Sequence, residues 1–116
     1  MSASSLTRLE VRLWLAQRAS AAVLAVCVAV HLALIIYAVR GGLSAAEILG
    51  RTRGSVAWLA FYMLFVAAVA VHAPIGLRTV LREMTPWRGR SLDVAIAGFV
   101  IFLATFGMRA VWGLFQ

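Results

Sequence analysis

Lysine is absent from this chain, and cysteine and carboxylates are scarce, with one cysteine and four acidic residues among 116. A single cysteine, Cys27, cannot form a disulfide within the chain or supply the ligand set of an iron–sulfur cluster or a zinc site. We interpret it as a small packing residue. The chain also has no glycine-rich dinucleotide fingerprint. The sequence therefore predicts no dinucleotide-binding or iron–sulfur chemistry of its own.

Charged residues make up only 13% of the sequence, whereas apolar residues make up 64%. Soluble domains are roughly half apolar and a quarter charged, so this composition predicts a membrane protein. All eleven basic residues are arginine, and the net charge is +7. Most of these arginines stand at the ends of apolar runs, which is typical of headgroup anchors. We therefore expect membrane lipid, and not nucleic acid, as the partner of this charge.

Three apolar runs are each long enough to cross a hydrocarbon core of about 30 Å, and they occupy residues 20–39, 56–77 and 94–114. Residues 1–18 mix apolar and basic positions and predict a short amphipathic helix at the membrane surface. Ser44 and Glu47 are spaced as a capping box, which predicts a short interfacial helix in the first loop. The sequence thus predicts an all-α membrane protein with one domain, residues 1–116, three transmembrane helices and a short N-terminal amphipathic helix.

The distribution of arginine predicts the orientation of the chain. Seven arginines precede the first span or lie in the second loop, whereas four lie in the first loop or near the end of the third span. Because cytoplasmic segments carry the excess of basic residues, the N-terminus is predicted to be cytoplasmic.

Two histidines, His31 and His72, lie inside predicted spans. An imidazole in hydrocarbon needs a polar side chain, a backbone carbonyl or a metal as its partner. Both residues are therefore candidate metal ligands, and each is equally a candidate for a hydrogen bond to a neighbouring helix. The helical rise places them roughly 8 to 10 Å apart in depth, too far to be the two axial ligands of one haem. Any opposite ligand to His72 would then come from another chain.

Residues close to these histidines could contact a cofactor or could have a purely structural role. Gly76, one turn after His72, could let a porphyrin lie flat against the helix, or it could serve helix packing. Arg78 and Arg18 could pair with haem propionates, or they could anchor helix ends at the interface. The same two roles are open to Arg109.

Two segments resemble a known family. His72-Ala-Pro-Ile-Gly76-Leu-Arg78 is similar to the H-x3-G-x-R motif of the cytochrome b membrane-anchor subunits of the succinate dehydrogenase and fumarate reductase family. Gln17-Arg18-Ala-Ser20 resembles their H-R-x-[ST]-G motif, with glutamine in place of the histidine. The three-span layout and the separation of 41 residues between the two histidines are also similar.

The resemblance implies a non-catalytic electron-transfer subunit of a quinone oxidoreductase complex in the bacterial inner (cytoplasmic) membrane. It implies one or two haem b groups, shared with a partner chain, with His72 and His31 as iron ligands and Arg78, Arg18 and Gly76 beside the porphyrin. A quinone is expected near Arg18 and Trp14. An iron–sulfur subunit and a flavoprotein subunit would dock at the cytoplasmic face. Three spans cannot enclose a haem alone, so a second membrane anchor subunit or a second copy would complete a larger helix bundle.

Two alternatives compete with this hypothesis. One is a haem-free structural membrane anchor. The other is a small proton-conducting or transporter subunit in which His31 and His72 relay protons. A proton relay predicts acidic groups inside the spans, yet all four carboxylates lie at helix ends or in loops: Glu10, Glu47, Glu83 and Asp93.

Overall fold

The computed structural model describes residues 2–116, which form four helices joined by short loops. These helices are α1 (Ala3–Arg40), α2 (Ala45–Thr52), α3 (Val56–Met84) and α4 (Arg90–Phe115). Helices α1, α3 and α4 are each long and apolar enough to cross a membrane. The described residues contain no strand, and the predicted class of an all-α protein with three spans is confirmed.

Helix α1 joins the predicted amphipathic segment and the first span in one continuous helix of 38 residues. Its first turn is capped by Ser2, whose side chain accepts a hydrogen bond from the Ser5 N–H. At 1.5 Å per residue the helix is about 57 Å long, close to the 55 Å long axis of the molecule. This is almost twice the thickness of the hydrocarbon core. Residues 3–18, here called the arm, therefore continue the axis of the span instead of forming a separate surface helix.

Helix α3 lies in the middle and packs against both α1 and α4. It begins at the Ser55 cap, contains Pro74 and continues to Met84, one to two turns beyond the predicted end of the span. The loop to α4 is correspondingly short. The Arg88 guanidinium fixes its shape by donating hydrogen bonds to carbonyl oxygens at the end of α3, including that of Arg82.

Helix α2 and the loops around it close the opposite end of the molecule, here called the α2 end. The predicted capping box is present, because the Ser44 N–H donates to Glu47 Oε2 at 2.6 Å and the Glu47 N–H donates to Ser44 Oγ at 3.2 Å. The backbone and hydroxyl of Ser44 lower the pKa of the Glu47 carboxyl. The Gly54 N–H donates to the Phe115 carbonyl at 2.7 Å, which ties the loop before α3 to the last turn of α4.

Gly107 sets the close approach of α4 to α3. A Cβ atom added there would lie 2.6 Å from Cγ1 of Val66. We expect Gly107→Ala to force the helices apart and to cost about 1–3 kcal/mol, the usual cost of overpacking. Thermal unfolding in detergent checks this, with Gly98→Ala as the matched control, because Gly98 has open space around it. Adding Val66→Ala should restore most of the loss, and equal midpoints for the two glycine variants would contradict the packing argument.

Candidate functional site

His72 lies between α3 and α1, level with the first turns of the predicted first span. Its Nδ1 is 3.3 Å from the carbonyl oxygen of Gln17 and 3.4 Å from Oγ of Ser20. Ser20 is buried, and its Oγ lies 2.6 Å from the Ala16 carbonyl, to which the hydroxyl donates. Gln17 and Ser20 share one face of α1 because they are three residues apart.

These contacts determine which ring nitrogen of His72 carries the proton. The Gln17 carbonyl can only accept, and the Ser20 hydroxyl has its own hydrogen committed to Ala16. Both neighbours of Nδ1 are therefore acceptors, which assigns a proton to Nδ1, and in the neutral ring Nε2 then carries the lone pair. Nε2 has no hydrogen-bond partner within residues 2–116. A neutral imidazole held through Nδ1–H with Nε2 unpaired is the form that ligates a metal.

The side chain of Gln17 packs over Gly76. A Cβ atom at residue 76 would meet Nε2 of Gln17 at 3.0 Å, so glycine leaves room for this side chain. In the described part of the chain, Oε1 of Gln17 is buried without a hydrogen-bond partner. Since a buried acceptor normally has a partner, this oxygen is suited to a donor from outside the chain. The side chain of Gln17 thus occupies part of the space above Gly76.

A cavity of about 880 Å³ runs beside Gln17 and Gly76, along the arm and the second half of α3, and His72 is not among its lining residues. Its polar lining includes Trp14, Gln17, Arg78 and Arg82, and Gly76 and Pro74 also border it. Nη2 of Arg78 donates to Oδ1 of Asp93 at 3.0 Å. Both side chains of this ion pair are substantially exposed, so the pair contributes about 0–1 kcal/mol to stability. Its remaining guanidinium hydrogens have no partner within residues 2–116.

Arg18 and Trp14 form a stacked pair one turn apart on α1. The guanidinium carbon of Arg18 lies 5.1 Å from the centroid of the Trp14 ring, within the range of a cation–π interaction. Trp14 also lines the cavity. The structure therefore brings the two predicted quinone residues together, next to the cavity that Gln17 and Gly76 border.

His31 occupies a separate place on α1, among aromatic residues of α3. Its Nδ1 is 3.4 Å from the Tyr62 hydroxyl, and its ring meets the rings of Tyr62 and Phe65 edge to face, with centroids 5.8 and 5.6 Å away. It borders an apolar cavity of about 360 Å³ that extends to α4 at Gly107. Within residues 2–116, Nε2 of His31 also has no hydrogen-bond partner.

The two histidine sites are well separated along the helices. His72 is level with Ser20 and His31 is level with Tyr62, and ten or eleven residues of helix lie between these levels. At 1.5 Å per residue the separation is about 15 Å, larger than the 8 to 10 Å expected from the sequence. The estimate was short because it placed Ser20 level with Leu77, whereas in the structure Ser20 is level with His72, five residues earlier in α3. The two histidines are not opposite ligands of one iron.

The structure also gives roles to residues that the sequence did not identify as partners. Ser20 and Gln17 bind His72, Asp93 binds Arg78, and Tyr62 binds His31. A pattern in α1 could have indicated the first two: its partly or fully buried positions recur at alternating steps of three and four residues, and Gln17, Ser20 and His31 are the polar members of that stripe.

The fold and these contacts define a multi-pass helical membrane protein with two separate intramembrane histidine sites. Residues 3–111 match the family described as succinate dehydrogenase/fumarate reductase transmembrane subunit, and the chain belongs to that family. The resemblance seen in the sequence is therefore confirmed, and with it a membrane-anchor role. No curated protein and no solved structure matches this chain significantly.

Proposed function

We propose that this chain is a haem b-binding membrane anchor that passes electrons between an iron–sulfur subunit and a membrane quinone. The observation that supports this most directly is the state of His72, whose Nδ1–H is held by the Gln17 carbonyl and whose Nε2 has no partner in residues 2–116. Family membership supports the anchor role. We further propose the bacterial inner membrane as the location, with the arm on the cytoplasmic side.

The residues around His72 fit a haem. Nε2 is suited to ligate the iron, and Arg78 retains donors for a propionate. The buried Gln17 Oε1 can accept a hydrogen bond from a protonated propionic acid group or an ordered water. When bound, haem b supplies a one-electron Fe(III)/Fe(II) couple. The protein would contribute ligation, orientation and an apolar surround.

Ser20 and the Gln17 carbonyl would act as positioning groups for the ligand. Hydrogen bonds to the far nitrogen fix the orientation of a ligating imidazole and strengthen it as a donor. Both groups come from α1, whereas His72 comes from α3. The packing of α1 against α3 therefore sets the geometry of the proposed ligand.

The exposed surface of the long helices leaves room for a partner bundle. Within residues 2–116 the buried apolar side chains are few: Cys27, Ala68, Leu92 and Val111. Large apolar side chains elsewhere on the spans are exposed and must contact lipid or other helices. We propose a second anchor subunit or a second copy there, which would supply the opposite haem ligand, with an iron–sulfur subunit and a flavoprotein subunit at the arm.

Quinone binding is proposed at Arg18 and Trp14. A quinone carbonyl near the interface needs a donor that stays charged, which a guanidinium provides. We expect Arg18→Ala to lower quinone-coupled turnover roughly tenfold to a hundredfold, the effect of losing one hydrogen bond to a charged group. Turnover with a soluble dye that accepts electrons from the iron–sulfur subunit should stay unchanged.

The control for this experiment is Arg53→Ala, because Arg53 is an exposed arginine at the opposite end of the molecule. It should leave both activities intact. Equal loss of quinone and dye activity in Arg18→Ala would assign Arg18 to assembly and would contradict a role in quinone binding.

A further inference from the structure

A groove of about 330 Å³ lies at the α2 end, under the short helix α2. Its walls come from the end of α1, from α2 and from the start of α3, and most of its lining is apolar or aromatic: Leu34, Tyr37, Ala38, Leu43, Ile48 and Trp58. The groove lies at the ends of two helices that are long and apolar enough to cross a membrane, and its tyrosine and tryptophan are typical of the membrane surface. An apolar chain from the bilayer can therefore reach it.

Arg51 stands at this groove with most of its hydrogen-bonding capacity unused. Its guanidinium carbon lies 5.3 Å from the centroid of the Tyr37 ring, and Nη1 donates to the Tyr37 hydroxyl at 3.4 Å. A guanidinium has five N–H donors in a planar fork, and the other donors of Arg51 have no partner within residues 2–116. Tyr37 thus holds the planar group in place while leaving a fork suited to a phosphate.

The charge around the groove favours an anionic ligand. Residues 40–54 carry three arginines and one carboxylate, Glu47. Glu47 accepts the Ser44 N–H in the capping box, and it forms no ion pair with Arg51 within the described residues. Glu47 therefore offsets part of the charge, and a net charge of +2 is left to be neutralised from outside the chain.

We propose that this groove binds an anionic phospholipid, with the phosphate on Arg51 and part of one acyl chain between α1, α2 and α3. The apolar lining accounts for the acyl chain, and the fork of Arg51 accounts for the phosphate. This site is at the opposite end of the molecule from His72, although it shares Tyr62 with the His31 site.

The test uses the full chain with the subunits that accompany it, purified in mild detergent and titrated with phosphatidylglycerol while bound lipid is counted by native mass spectrometry. Arg51→Gln should raise the apparent Kd for phosphatidylglycerol roughly tenfold or more. The matched control is Arg53→Gln, which removes the same charge two residues away and outside the groove lining. It should bind phosphatidylglycerol as the wild type does.

A second variant tests the acyl-chain half of the site. Ala38→Phe fills the groove and leaves Arg51 in place, so it should lose the same lipid. Equal weakening in the Arg51 and Arg53 variants would mean diffuse attraction and would overturn the proposal. Full lipid retention by Ala38→Phe would overturn it too. Release of an accompanying polypeptide from Arg51→Gln, with lipid unchanged, would show that a protein helix occupies the groove.

Discussion

Replacing His72 with alanine should remove one haem from the purified complex or prevent its assembly. The expected loss is complete for that haem, because among residues 2–116 the only other histidine, His31, lies about 15 Å away along the helices. Haem is measured by the absorbance of its pyridine complex relative to protein. His31→Ala is the matched control, since it also removes an intramembrane imidazole but should leave the His72 haem in place.

Two results would separate ligation from folding. Imidazole added during the growth of cells producing His72→Ala should restore part of the haem, because it can occupy the vacated side-chain space. Ser20→Ala, which keeps the ligand and removes one contact to Nδ1, should retain haem with a shifted reduction potential. Unchanged haem content in His72→Ala would exclude this residue as the ligand.

Removing residues 2–12 should release the iron–sulfur and flavoprotein subunits from the membrane. The arm is the N-terminal part of α1, with exposed arginines, Arg8 and Arg12, and with exposed apolar residues such as Leu9. It lies at the same end as His72, the proposed haem ligand, which an electron donor would approach. Activity with a soluble dye, measured in the membrane and soluble fractions, reports the release.

Charge reversal gives a milder test of the same docking surface. Arg88 is unsuitable, because its guanidinium caps the end of α3 and its loss would disturb the loop. Arg90 is exposed at the first position of α4, where a glutamate would favour the helix dipole. Arg90→Glu should therefore weaken docking without unfolding, whereas Arg53→Glu at the α2 end should not. Full membrane-bound activity after both the deletion and Arg90→Glu would locate docking on another chain.

The architecture could be predicted from the sequence because the bilayer imposes simple rules. The lengths of the apolar runs predict the three spans, and the spacing of Ser44 and Glu47 predicts α2 with its capping box. The continuity of α1 through residue 18 could not be seen, since a change from amphipathic to apolar pattern does not itself break a helix. The same holds for α3 beyond Leu77, where helix-forming residues continue to Met84.

The sequence could indicate which histidines belong to the candidate site, but it could not indicate which groups contact them. A histidine in a span is conspicuous because burying an imidazole is costly, and this indicated both His31 and His72. Which groups hold each ring depends on the relative rotation and level of α1 and α3, which the sequence does not specify. The Gln17 carbonyl in particular is a backbone group, and no side-chain pattern marks it.

The most direct test of the proposed function is the reduced-minus-oxidised absorption spectrum of the wild-type complex, followed by addition of a soluble quinone to the reduced sample. We expect a low-spin, bis-histidine b-type spectrum, and we expect the quinone to reoxidise the haem. A complex that contains this chain and its partners but shows no haem spectrum would contradict the proposed haem-binding function. It would identify the chain as a haem-free structural anchor.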